Sequence, residues 1–121
     1  MTLDAAARRR YARQLLLGEI GEAGQERLLG SEFAAGAASD PRAFASAAEY
    51  LRRAGCRETD AGREVLVPDA AAVMAFAGAP FLLEPAAAVI GAFSAVEHLK
   101  AILGIAEARG FPTDVQLNVE V

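Results

Sequence analysis

Between Glu84 and Gly104 the chain reads EPAAAVIGAFSAVEHLKAILG, with no charge between Glu84 and Glu97. Pro85 suits the first turn of a helix, where its missing N–H costs nothing, and Gly104 suits the residue just past the end. A helix that is apolar all round for three turns must be buried on every side. The sequence therefore predicts a central core helix over Pro85–Leu103, carrying Ile90 and Phe93. Glu97, His98 and Lys100 occupy its last turns, so that end is expected to reach water.

A chain of 121 residues forms one domain, large enough to bury about two-thirds of its unfolded surface. It divides into an N-terminal helical motif (1–30), a middle (31–83), and the central helix with a C-terminal strand (84–121). Its apolar fraction, 54%, exceeds the usual ~45–50%; much of the excess is alanine, and it points to a partner surface. A net charge of −4 supplies no attraction to nucleic acid or to an anionic membrane. The single cysteine, Cys56, leaves no internal disulfide and no multi-thiolate zinc site. The N-terminus lacks an apolar signal region. Glu84 and Pro85 interrupt the only long apolar stretch, so no membrane span is expected, and the chain is expected in the cytoplasm.

Asp4 can cap a helix running to about Leu16. Gly18 and Gly21 break it, and a second helix, Glu22 to Leu29, turns Leu28 and Leu29 inward before Gly30. The segment Arg10–Leu29, RYARQLLLGEIGEAGQERLL, resembles the N-terminal signature of the ThiF/MoeB family. These are the ubiquitin-activating-like adenylyltransferases of thiamin and molybdopterin synthesis. Gly91–Lys100, GAFSAVEHLK, followed by Leu103-Gly104, resembles the family's late helix. The two matches cover about a third of the chain, and the family's members are around twice its length.

Where the family places a strand and a glycine-rich phosphate loop, this chain reads EFAAGAASDP over 32–41, with one glycine. Such loops use glycine to bring backbone N–H groups onto phosphate at a helix N-terminus. Asp40-Pro41 reads instead as a cap and the first helical residue. The carboxylate would take the donors that a phosphate needs and place negative charge there. The family's Asn–Arg–Gln segment, its adenylation lysine and aspartate, and its Cys-x-x-Cys pairs are also missing. No cofactor and no metal is expected.

A helix from Pro41 to Ala54 carries Phe44, Ala47, Ala48 and Leu51 on one stripe and stops at Gly55. Cys56–Thr59 and Arg63–Val67 flank Asp60-Ala61-Gly62, whose spacing suits a bulged hairpin. The alternative is a Rossmann-like crossover with 65–67 as a buried parallel strand. Asp69 caps a helix over Ala70–Ala77, with Val73, Met74 and Phe76 inward. Val115, Leu117, Val119 and Val121 alternate with polar residues, which predicts a strand with one buried face. The expected fold is α+β: a helix-rich domain whose long C-terminal helix packs on about three strands, the hairpin plus the C-terminal strand. A cut-down Rossmann-like α/β fold is the alternative.

The remaining candidate residues have ordinary readings. Lys100 fits a solvated helix end, and His98, next to Glu97 but about 100° round the helix, makes no metal pair with it. Arg52, Arg53 and Arg57 near Cys56 could lower its pKa. By resemblance, Arg10 and Arg13 are the two arginines of the N-terminal motif. In the molybdopterin-synthesis members the second reaches across a dimer toward the neighbour's nucleotide phosphates. An arginine suits that role through its planar, permanently charged fork. Together these features predict a non-catalytic interaction or oligomerisation protein derived from an adenylyltransferase. Its expected partner is a second copy, a full-length ThiF/MoeB-like protein or a small ubiquitin-like protein; residual adenylation in cofactor biosynthesis is the alternative.

Overall fold

The structure is a computed structural model that describes residues 4–10 and 21–117, with backbone only for 8–10. Helix α1 spans Ala5–Arg10, and the Asp4 carboxylate accepts from the Ala7 N–H at 2.8 Å. Residues 11–16 of the expected first helix lie outside the described residues. Helix α2, Gly21–Leu29, buries Leu28 and leaves Leu29 half-buried. Strand β1, Glu32–Ala35, leads through a turn to α3, Pro41–Ala54. There Asp40 caps Ala43 N–H at 2.9 Å, and Gly55 closes the far end in the left-handed region, φ 111°. Gly55 N–H bonds to the Arg52 carbonyl and Cys56 N–H to that of Leu51, satisfying carbonyls that the helix end leaves open.

The sheet is where the structure departs furthest from expectation. Strands β2, Arg57–Glu58, and β3, Arg63–Val65, do not pair with each other. Both run parallel to β1 and flank it, in the order β2-β1-β3. Phe33 faces Glu58 on one side and Arg63 on the other. Residues 59–62 thus carry the chain from one edge of β1 across to the other. Gly62 makes that passage possible: a Cβ there would lie 2.6–2.7 Å from the backbone N, Cα and C of Phe33. The glycine read as a turn residue serves instead for close approach, and the expected hairpin is replaced by a crossing.

The C-terminal strand is also replaced. Residues 115–117 are not in a strand, Val115 is exposed and Leu117 half-buried, and Leu117 N–H bonds to the Phe76 carbonyl at 2.7 Å. Val119 and Val121 lie outside the described residues. Alternation fixes which face a residue takes but not whether a partner strand is there to receive it. Here β1 supplies the third strand. The helix-rich α+β architecture with a three-stranded sheet and a long C-terminal helix stands, with a parallel sheet.

Helix α4, Ala70–Ala77, is capped by Asp69 and ends at Gly78. It buries Val73 and Phe76, while Met74 is exposed. A 3-10 turn, Pro80–Leu82, feeds α5, Leu83–Ile102. Helix α5 packs chiefly along α3, with α4 beside it. The contact is close because Gly91 sits over α3: an added Cβ would come 2.6 Å from Ser46 Oγ and 2.8 Å from the Ala43 carbonyl oxygen. One core, around Leu28, Phe33 and Leu51, lies against the sheet. A second, around Val73, Phe76 and Ile90, fills the space between α4 and α5.

Three features of α5 differ from the sequence reading. Val89 and Val96 are 46% and 54% exposed, so the helix is not buried all round. Glu97 is buried rather than solvated, and His98, which the sequence leaves as a packed or a surface residue, is packed. Neither Glu84 nor Pro85 interrupts the helix, and Pro80–Ile102, 23 residues, is long and apolar enough to cross a membrane by length and composition.

The tight approaches yield a stability test. Gly91→Ala forces α3 and α5 apart and should cost about 1–3 kcal/mol as overpacking, more than the ~1 kcal/mol gained in helix propensity. Adding Ser46→Gly should restore part of the loss. Gly62→Ala meets backbone, so no side-chain change should rescue it. Ile90→Ala should cost about 2–5 kcal/mol. Urea unfolding midpoints of the variants measure all four.

Candidate functional site

Two regions invite a functional reading. The first is the carboxyl edge of the sheet, where β1 and β3 end beside the 36–39 loop. In open α/β sheets this edge, at the switch in strand order, is where ligands sit. A groove of about 510 Å³ lies there, and Ser39, Glu64, Pro68 and Phe111 are among its lining residues. Its charged lining group is an acid: a Cβ on Gly36 would lie 3.2 Å from Glu64 Oε2. Asp40 is 8% exposed, with its carboxylate on Ala43 N–H and its own N–H on the Pro68 carbonyl at 2.8 Å. The α3 N-terminus therefore has its own carboxylate in the position where an anionic ligand would bind.

The second region is the outer face of α5. Pro85, Ala88, Val89 and Val96 are exposed, and Ala92, Leu99 and Leu103 are half-buried. Phe81, just before the helix, is 77% exposed, and Ile105, just beyond it, 49%. Pro85, Val89, Ala92 and Val96 follow one side of the helix, whereas Leu99 and Leu103 pack against the core around Leu28 and Phe33. Scattered exposed hydrophobic residues need no explanation, but contiguous ones mark an interaction surface. The sequence hides this face because the buried side of α5 is largely apolar too, with Ser94, Glu97 and His98 among its alanines; the signal that could have found it is the spacing of Pro85, Val89, Ala92 and Val96 within the run.

No protein-family model, curated protein or solved structure matches this chain. Of the two arginines singled out by resemblance, Arg10 ends α1, with its side chain outside the described atoms, and Arg13 lies outside the described residues. Cys56 is buried, and burial pushes its thiol pKa up, only partly opposed by a hydrogen bond from Ser31; the nearby arginines do not activate it. Lys100 is half-buried and pairs with Glu97 at 2.5 Å. Among the described residues no group of three His, Cys, Asp or Glu side chains is placed to hold a metal.

The inner side of α5 carries polar groups, among them Glu97, which the sequence placed in water. Glu97 accepts from Lys100 Nζ and, at 3.1 Å, from the Arg109 N–H, so it ties the segment after the helix back onto it. The Lys100 hydrogen bond is the main reason its carboxyl pKa lies below the ordinary 4.5. His98 is 2% exposed, and its buried Nε2 has no hydrogen-bond partner among the described residues. Burial, and secondly the charge of Arg63, lower its pKa below the ordinary 6.5. The sign of the resulting pH dependence follows directly. Above 6.5 the imidazole is neutral in both folded and unfolded chains. As pH falls through that value the unfolded chain takes up a proton first, so stability drops until the lowered folded pKa is passed. The slope should be at most about 1.4 kcal/mol per pH unit. His98→Gln should flatten this limb while leaving the more acidic one set by Glu97, as urea midpoints between about pH 7 and about pH 4 will show.

Proposed function

We propose that this chain is a non-catalytic protein-interaction domain, descended from a ThiF/MoeB-like adenylyltransferase and working by association in the cytoplasm. The observation that carries this is the apolar face of α5 from Pro85 to Val96, open among the described residues, with exposed Phe81 just before the helix. A small domain that leaves such a face open gains by covering it, at roughly 25 cal/mol per Å² of apolar surface removed from water. The carboxyl edge of the sheet supports the same conclusion. The Asp40 carboxylate takes the Ala43 N–H at the start of α3, and Glu64 adds negative charge beside the loop. A nucleotide triphosphate would meet repulsion where an adenylyltransferase needs attraction. The partner is a second copy of this chain, a full-length relative or a small ubiquitin-like protein. With a full-length relative, Arg10 and Arg13 would be available to the partner's nucleotide.

Two measurements test this proposal. Calorimetry with MgATP should give no binding heat; clear binding would return the chain to the enzymes. A photo-reactive amino acid at exposed Ala88 should give, in living cells, a covalent adduct whose mass identifies one of those three partners. Irradiation that yields only the unlinked chain would sink the interaction function.

A further inference from the structure

The groove at the carboxyl edge of the sheet repels phosphate, and the same groups favour a ligand of opposite charge. Two side-chain oxygens converge there on one point above Gly36. A Cβ on that glycine would lie 3.2 Å from Glu64 Oε2 and 3.3 Å from Ser39 Oγ. Because Gly36 carries no side chain, the point between the two oxygens is open. Neither oxygen has a hydrogen-bond partner among the described residues, and Glu64 is the one charged residue among those that line the groove. The neighbouring Arg63 takes the opposite face of β3, since side chains alternate along a strand. Much of the remaining lining is hydrocarbon, from Leu66, Val67, Pro68 and Phe111. Phe111 is held edge-on by Phe76, with ring centroids 4.9 Å apart, and by Phe93, at 5.2 Å.

We propose that this groove binds a small organic ammonium ion, a free primary amine on an aromatic or aliphatic body. Its nitrogen sits over Gly36 between Glu64 Oε2 and Ser39 Oγ, and its body lies along Pro68 and Phe111. An ammonium suits the pair because it has donors and no acceptor, and both oxygens accept. Separations near 3 Å are those of an N–H···O bond, and a carboxylate acceptor strengthens it.

A metal ion fits less well. Calcium takes about six to eight oxygen ligands, and among the described residues no group of three His, Cys, Asp or Glu side chains is placed to hold one. A lysine of another protein presents the same ammonium, but its thin stem would leave most of a groove of about 510 Å³ unfilled, whereas such sites bury most of a ligand's surface. None of Pro85, Val89, Ala92 and Val96 lines the groove, so the site does not depend on what covers the outer face of α5.

Titration of the full chain with phenethylamine, followed by amide chemical shifts, should give saturable changes at Ala37, Ser39, Glu64 and Leu66. Phenethyl alcohol, which has the same shape without the charge, should bind about fivefold more weakly, and Glu64→Gln should weaken amine binding to the same degree, the contribution of one partly exposed ion pair. Gly36→Ala is the second variant. Gly36 lies outside the left-handed region, so alanine keeps the backbone, and the exposed Glu64 side chain can move aside. The added methyl then occupies the point between the oxygens. Amine binding should be lost while the urea midpoint stays at the wild-type value. If the midpoint falls instead, Glu64→Gln decides alone. No saturable change with the amine, equal binding of amine and alcohol, or undiminished binding by Glu64→Gln or by a stable Gly36→Ala overturns the proposal. So does tighter binding of N-acetyl-lysinamide, which assigns the groove to a protein partner. The same shift changes with calcium chloride alone assign it to a metal and overturn the proposal too.

Discussion

The close crossing of α3 and α5 at Gly91 sets the spacing of everything else. Because Gly91 has no side chain, α5 lies against Ser46 and the Ala43 carbonyl, and the alanines around that point are fully buried: Ala43, Ala47, Ala86 and Ala95. Small residues pack helices at short distance, so the domain needs few large side chains to fill its interior. Phe33, Leu28, Leu51 and Ile90 are among the largest that are fully enclosed. The alanine-rich composition is thus matched to one geometry, two helices held close, with the sheet on one side and α4 on the other. Packing at this density also explains why single methyl groups matter there.

The same crossing divides α5 into two sides with different uses. Its inner side, committed to α3, accommodates Ser94, Glu97 and His98 among the alanines. Glu97 is satisfied by Lys100 and the Arg109 backbone, whereas Ser94 Oγ and His98 Nε2 have no partner in the interior. An unpartnered buried polar atom costs about 1–3 kcal/mol, so the inner side is less comfortable than its hydropathy implies. Its outer side, apolar from Pro85 to Val96, faces outward, and Leu99 and Leu103 beyond it pack on the core around Leu28 and Phe33.

Much of this was legible in the sequence where a residue's role is local. Asp40 with Pro41, Asp69, Gly55 and Gly78 mark the ends of α3 and α4 because caps depend on neighbouring backbone groups alone. The stripe Ala47, Ala48, Leu51 found its core for the same reason. What escaped the sequence depends on residues far apart in the chain. Gly62 is a close-approach glycine only because Phe33 lies beneath it; from spacing alone it reads as a turn. Val115 and Leu117 alternate correctly, yet β1 already has a strand on each side. In α5 the buried side carries Ser94, Glu97 and His98 while the outer side is apolar, so neither the exposed face nor the burial of Glu97 could be read from the amino-acid pattern.

The passage of the chain across Phe33 makes residues 59–62 a ruler. Parallel strands are ordinarily joined through a helix whose length can drift, because the connection lies clear of the sheet. Here the connection crosses directly over β1, against the Phe33 backbone. Thr59 N–H bonds to the Phe33 carbonyl at 2.9 Å, and Arg63 already stands opposite Phe33 on the other edge. One residue more or fewer would slide β3 along β1 and turn Val65, 2% exposed, from the core to the opposite face. Where most surface loops absorb insertions and deletions, this one fixes chain length as firmly as a core position fixes side-chain volume.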